Sequence, residues 1–321
     1  MGTQNHLSQL HPKCKFMTNI VSLVRVQQSE VYQGISKALD LATYKFPAKA
    51  ESVVIKPNLC YYWDAATGYT TDPRVVAAVI DRVREEYGND VKIQIAEADA
   101  SAMRTKYAFR MLGYEKLAQE KKVELFNLSD GLLEEKSVNV GKRQMKFAVS
   151  PLLMNSALLI NMPKPKLMKV VKITCAMKNM FGAIGTPRKV VYHKFLNEAV
   201  VGINKILKPH LTIVDGLVGA GRYTQKLNLL MASADSFSID WVAAQVMGYR
   251  PSSVKFLSLS IAEGLGDPKQ IVTAGESVSG FAEIFPKEKL VSTNFLWSAQ
   301  FTLLKIYKKL SGDIIPPVFQ E

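Results

Sequence analysis

Short apolar runs and amphipathic helical stretches alternate along most of this chain, and that alternation constrains the fold more than any other feature. Asn19 to Val26 reads as a strand, and Val31 to Ala42 as a helix with apolar residues recurring at helical spacing. The pattern returns as a strand over Ser52 to Leu59, a helix over Val75 to Tyr87, a strand over Val91 to Ala96, a helix over Met103 to Lys121 and a strand over Val123 to Leu128. Thr71-Asp72-Pro73 offers a cap and a first-turn proline to the second helix, and Gly88-Asn89 ends it. Strands separated by helices of this length imply βαβ units. The expected class is α/β: a mostly parallel or mixed sheet with flanking helices, as one large domain or two intimate halves.

Further along, the polar stretch Ser129 to Lys146 reads as a hairpin or excursion before a buried strand over Ala157 to Asn161. A helix over Phe195 to Leu207, strands over Leu211 to Asp215 and Leu229 to Ala234, and a helix over Phe237 to Met247 continue the rhythm. Val254 to Leu265 is expected as helix and Gln270 to Thr273 as a short strand. The boundaries that follow are a loose extension at 1–18, the α/β domain at 19–280 and a helical tail at 281–321, with an amphipathic helix over Asn294 to Leu310.

Composition fits a folded chain: of 321 residues, 48% are hydrophobic and 21% charged, enough for a core and too little charge for disorder. The three cysteines, Cys14, Cys60 and Cys175, are far apart, which supports neither a disulfide framework nor a thiolate metal site. With no secretory pattern over Met1 to Asn19 and no apolar run of membrane-spanning length, a cytoplasmic location is expected.

The net charge of +13 is concentrated. Between Asn161 and Lys194 stand Lys164, Lys166, Lys169, Lys172, Lys178, Arg188, Lys189 and Lys194, eight cations against no Asp or Glu. Such a segment points to an anionic partner.

In an open α/β sheet, ligands bind beyond the carboxyl ends of the strands. Four strand ends carry unusual chemistry: Lys56-Pro57-Asn58, Glu97-Ala98-Asp99, Asn161-Met162-Pro163-Lys164, and Asp215-Gly216 with Gly219 and Gly221. The first and third each set an ammonium donor and an amide on a stiff turn, although a solvated lysine beside a structural proline explains either one alone. Lys178-Asn179 through Gly182 to Arg188 combines permissive glycines with cations, as a concave anion site or an ordinary loop. It lacks a P-loop's Gly-Lys-Ser/Thr ending. The glycines after Asp215 suit either close approach of a phosphate or a tight turn. Lys56, Asn58, Asn161, Lys164, Lys178, Asn179, Gly182 and Arg188 are thus the candidate anion-binding residues.

His193 is the candidate proton carrier, its pKa lowered by nearby lysines, with Glu97 or Asp215 as its carboxylate partner. His210, at a strand entry, is weaker. Glu97, Asp215, Asp235 and Asp240 are candidate ligands for a divalent cation such as Mg²⁺, and Asp240 equally suits the first turn of a helix.

Together, Lys56-Pro57-Asn58, Thr71 with Pro73, Glu97, Asn161 with Pro163-Lys164, Lys178-Asn179 with Gly182, His193, Asp215, and Asp240 with Gly248 resemble the DUF362 family over roughly Ser52 to Glu276. Many members of that family append a ferredoxin-like region with clustered cysteines. This chain has no such cluster, so no intrinsic iron–sulfur centre is expected. Members often end the Pro-Lys turn in Lys-x-His; here Met168 stands at the histidine position.

These observations favour an enzyme or enzyme-like protein holding a small phosphate- or carboxylate-bearing ligand. A nucleic-acid-binding module using residues 161–194 is one alternative. The other is a redox partner docking on an iron–sulfur protein or a membrane surface, helped by Lys305, Lys308 and Lys309.

Overall fold

The computed structural model describes residues 18–287 together with Ile306 and Leu310. Residues 1–17 of the extension expected at 1–18, and the helix expected at 294–310 apart from those two positions, lie outside the described residues. β1 (Asn19–Arg25) leads into α1 (Val31–Leu41), β2 (Ser52–Pro57), α2 (Pro73–Tyr87) and β3 (Lys92–Glu97). Next come α3 (Thr105–Met111), α4 (Tyr114–Lys121), β4 (Glu124–Asn127) and a separate antiparallel hairpin of β5 (Glu134–Val140) and β6 (Arg143–Val149). α5 (Pro151–Met154) and β7 (Leu158–Met162) precede the short pair β8 (Lys166–Met168) and β9 (Lys172–Thr174), then α6 (Ala176–Phe181) and α7 (Leu196–Ile206). β10 (Leu211–Ala220), β11 (Thr224–Ser233), α8 (Ser236–Val246), α9 (Lys255–Ala262), β12 (Ile271–Gly275) and α10 (Val278–Ile284) follow.

The sheet has ten strands, with a main path β12-β1-β11-β10-β7-β2-β3-β4 and the β8/β9 pair branching from β10. Every pairing from β10 through β7, β2 and β3 to β4 is parallel, and β11 runs against both its neighbours. Alternation along the parallel strands separates two cores. Val53, Ile55, Leu158 and Ile160 face the layer of α1 to α4, whereas Val54 and Leu159 face the layer of α6 to α9. Local signals explain the helices. Asp72 accepts from the Arg74 amide ahead of α2, and Val75, Val76, Val79, Ile80 and Val83 make its buried stripe.

Three elements differ from expectation. The helix anticipated over Met103 to Lys121 breaks into α3 and α4, because Gly113 takes a left-handed conformation at φ 80°. The basic segment forms β8, β9 and α6, so Lys178 and Asn179, which the sequence places at the start of a concave anion site or an ordinary loop, stand on a helix. α6 is held by a distant residue, Asp240, which accepts from the Ala176 and Met177 amides at 2.6 and 2.9 Å. Finally, the glycine-rich run after Asp215 is not a phosphate loop: β10 continues to Ala220, paired with β11 across an irregularity between Gly216 and Val218. A Cβ at Gly216 would lie 2.8 Å from the Leu229 carbonyl oxygen, so that glycine admits the neighbouring strand.

Candidate functional site

The chain lays down β2, β3 and β4 in one direction and places β7 and β10 on the other side of β2. The crevice beyond β2 and β7 is therefore the switch point of the sheet, where α/β proteins bind ligands. Lys56 and Asn161 are register partners across this crevice. By alternation both side chains face the layer containing α6.

Lys56 is fully buried and its Nζ donates to Glu97 Oε1 at 2.7 Å. The Glu97 carboxylate also accepts from the Leu59 amide at 3.2 Å and the Ala98 amide at 3.0 Å, which locks the ends of β2 and β3 together. Above them, Asn179 Nδ2 donates to Asn161 Oδ1 at 2.8 Å and to the Pro57 carbonyl at 3.3 Å, while Asn161 Nδ2 donates to the Ala176 carbonyl at 3.0 Å. Gly182 closes this group. A Cβ there would sit 3.1 Å from Lys56 Nζ and 2.9 Å from the Asn179 carbonyl oxygen, so the buried ion pair occupies the space a side chain would need. Five of the residues singled out in the sequence thus meet.

A second ion pair lies on the other face of the rim. Lys164, 1% exposed, donates to Asp215 Oδ1 at 3.1 Å. Asp215 also accepts from the Asp72 amide at 2.7 Å and the Leu217 amide at 3.1 Å, tying β10 to the start of α2. Tyr114, fully buried, donates to the Thr71 carbonyl at 2.8 Å, and burial pushes its phenol well above the ordinary range. A cleft of about 570 Å³ opens beside this pair, lined by Asp72, Arg74, Lys164, Leu217 and Lys226 among others.

Three more lysines enter the same region and have no carboxylate in ion-pair contact among the described residues. Lys166 donates to the Tyr69 carbonyl at 2.7 Å, and burial, followed by the charge of Lys164 among other groups, lowers its pKa. Lys189 donates to the Gly182 carbonyl at 2.6 Å, and burial above all holds its pKa down to about 7. Lys178, partly exposed, lies over the Phe181 ring at 4.1 Å from the centroid; burial, with the charges of Lys166 and Lys56 adding to it, brings its pKa to about 8. Neither Lys166 nor Lys189 was named as a site residue from the sequence. Lys166 had a signal in the Lys-Pro-Lys repeat. Lys189 had none, since only the local turn distinguishes it from Arg188.

The remaining candidates fall elsewhere. Arg188 is exposed on the surface. His193 is also exposed, in a 3₁₀ turn, and its pKa is lowered by partial burial and then by the charge of Lys178. Glu97 and Asp215 serve as counter-ions of Lys56 and Lys164, and no described hydrogen bond joins either of them to His193. Asn58 holds Thr71 through its backbone, and its Oδ1 is shielded from solvent with no hydrogen-bond partner among the described residues. His210 Nδ1 accepts from the Leu159 amide at 2.9 Å, a structural role beside β7. Asp235 caps α8 through the Ser238 amide at 2.8 Å, and burial raises the Asp240 carboxyl to about 7 where it caps α6. The four candidate metal carboxylates are therefore committed to four different donor sets. Among the described residues no group of three or more His, Cys, Asp or Glu is arranged to hold a metal.

No described helix is long and apolar enough to cross a membrane. Over 270 residues the chain is 26% identical to a thylakoid-associated protein of Synechocystis, covering 78% of this chain and 81% of that protein. A lactate racemase apoprotein from Thermoanaerobacterium thermosaccharolyticum superposes with a TM-score of 0.46 at 10% identity, covering 75% of this chain and 60% of that one. The family profile described as a domain of unknown function, DUF362, matches residues 53–245, more than half of the sequence. The chain belongs to the DUF362 family.

Proposed function

We propose that the switch-point crevice binds a small anionic ligand bearing a carboxylate or phosphate. One observation carries this reading: five lysines, Lys56, Lys164, Lys166, Lys178 and Lys189, converge at the rim, and two of them are neutralised by Glu97 and Asp215. Burial disfavours the ammonium forms of the other three, Lys166, Lys178 and Lys189, and an anion bound among them would offset that cost.

The inward packing of the basic segment favours a small ligand over a nucleic acid. Lys164, Lys166 and Lys189 are each at most 6% exposed, out of reach of a phosphodiester backbone. The test is calorimetric titration of oxalate and of inorganic phosphate into the wild type, Lys178→Ala and Lys194→Ala. The expected result is saturable binding of at least one anion, weakened about tenfold or more by Lys178→Ala and unchanged by Lys194→Ala. Equal loss in both variants, or binding that vanishes for all three proteins at moderate salt, would refute a buried site.

A further inference from the structure

Lys178 stands apart from the other four lysines of the crevice. Lys56 and Lys164 donate to carboxylates, and Lys166 and Lys189 to backbone carbonyls. Among the described residues the Lys178 amine has no hydrogen-bond or ion-pair partner, and it rests on the face of Phe181. The other four are buried, whereas Lys178 is partly open to solvent. It is therefore the one lysine of this set that an incoming ligand can reach without first breaking a bond.

Its surroundings also favour the free amine. Burial and the nearby ammonium groups of Lys166 and Lys56 disfavour charge, against the attraction of the Phe181 ring face, and a net bias of this kind is how proteins make a lysine nucleophilic. With a pKa of about 8, roughly a tenth of the population is the neutral amine near pH 7. His193 lies close enough to feel the charge of Lys178 and is exposed to solvent, a suitable place for a proton relay.

We infer that Lys178 is an amine nucleophile that condenses reversibly with the carbonyl group of a small oxo-acid, whose carboxylate is held by the neighbouring lysines. This rests on the anion-site reading above and names its substrate class. The step balances without a redox partner. The neutral Nζ adds to the carbonyl carbon, the resulting carbinolamine oxygen is protonated and leaves as water, and the nitrogen loses its protons to give an imine. Nζ gives up two protons and the oxygen gains two, and His193 relays them between the nitrogen, solvent and the departing oxygen.

The experiment treats the full chain with pyruvate and sodium cyanoborohydride, which reduces an imine to a stable secondary amine, and locates the adduct by peptide mass spectrometry. A parallel thermal-shift series uses oxalate, a similar anion that cannot form a ketimine. The inference expects one dominant adduct, on Lys178, suppressed by excess oxalate, reduced about tenfold or more in Lys178→Arg and retained in Lys194→Arg. Adducts spread over the exposed Lys169, Lys172 and Lys194, or none at all, would overturn the nucleophile. If oxalate still stabilised the protein in that case, the anion site would survive alone. If oxalate also had no effect, both readings would fall.

Discussion

Replacing Lys189 by methionine gives a pH-dependent change in stability whose sign and size follow from its burial. Lys189 is 6% exposed, and its pKa is held down to about 7 by burial first, with the charges of Lys56 and Lys178 adding to that and Glu97 opposing it. In the unfolded chain the amine titrates near 10.5. Below about pH 7 both states carry the proton, and the folded state bears the full cost of the buried ammonium. Above it the folded protein has released the proton while the unfolded chain keeps it, so the unfolded state binds more protons and stability rises with pH. For these two values the gain between about pH 6 and about pH 8.5 is about 2 kcal/mol. Lys178 contributes in the same direction and Asp240, raised to about 7, in the opposite direction at lower pH. Both are present in wild type and variant, so they largely cancel in the difference. Urea unfolding of the two proteins across this range should therefore show wild type gaining about 2 kcal/mol on Lys189→Met. A difference flat to within about 0.5 kcal/mol would refute the reasoning, because a lysine that titrates normally contributes no slope.

Three other outcomes follow from the same geometry. Glu97→Gln strands the Lys56 ammonium and should cost about 3–5 kcal/mol in urea unfolding, with much of the loss recovered in the double variant Lys56→Met, Glu97→Gln. Gly182→Ala drives a methyl to 3.1 Å from Lys56 Nζ and 2.9 Å from the Asn179 carbonyl oxygen, and should cost about 1–3 kcal/mol by the same measurement. Arg188→Ala should change stability by less than about 0.5 kcal/mol and leave oxalate affinity unaltered, since the side chain is exposed.

The βαβ rhythm was legible in the sequence because buried parallel strands read as unbroken apolar runs and the helices carry their own caps. Lys56, Glu97, Asn161 and Asn179 could be picked out as strand-end or loop polar residues, and they do meet at the switch point. What the sequence hid depends on tertiary partners. α6 forms within a basic stretch with no local acidic cap because its cap, Asp240, lies on α8. The glycines after Asp215 look like a ligand loop until β11 is seen packed against them. The same limit applies to neighbouring cations: Arg188 points out and Lys189 points in, and only the packing of the 3₁₀ turn decides which. Reading the eight cations as one surface missed that Lys164, Lys166 and Lys189 are buried while Lys169, Lys172, Arg188 and Lys194 are exposed.

The most direct test of the anion site is crystallographic. Crystals soaked in bromide locate bound anions by anomalous scattering, independently of any assumed substrate. The account predicts a peak in the crevice beyond β2 and β7, within contact of Lys178 Nζ. Peaks confined to Lys169, Lys172, Arg188 and Lys194, with the crevice empty, would contradict it.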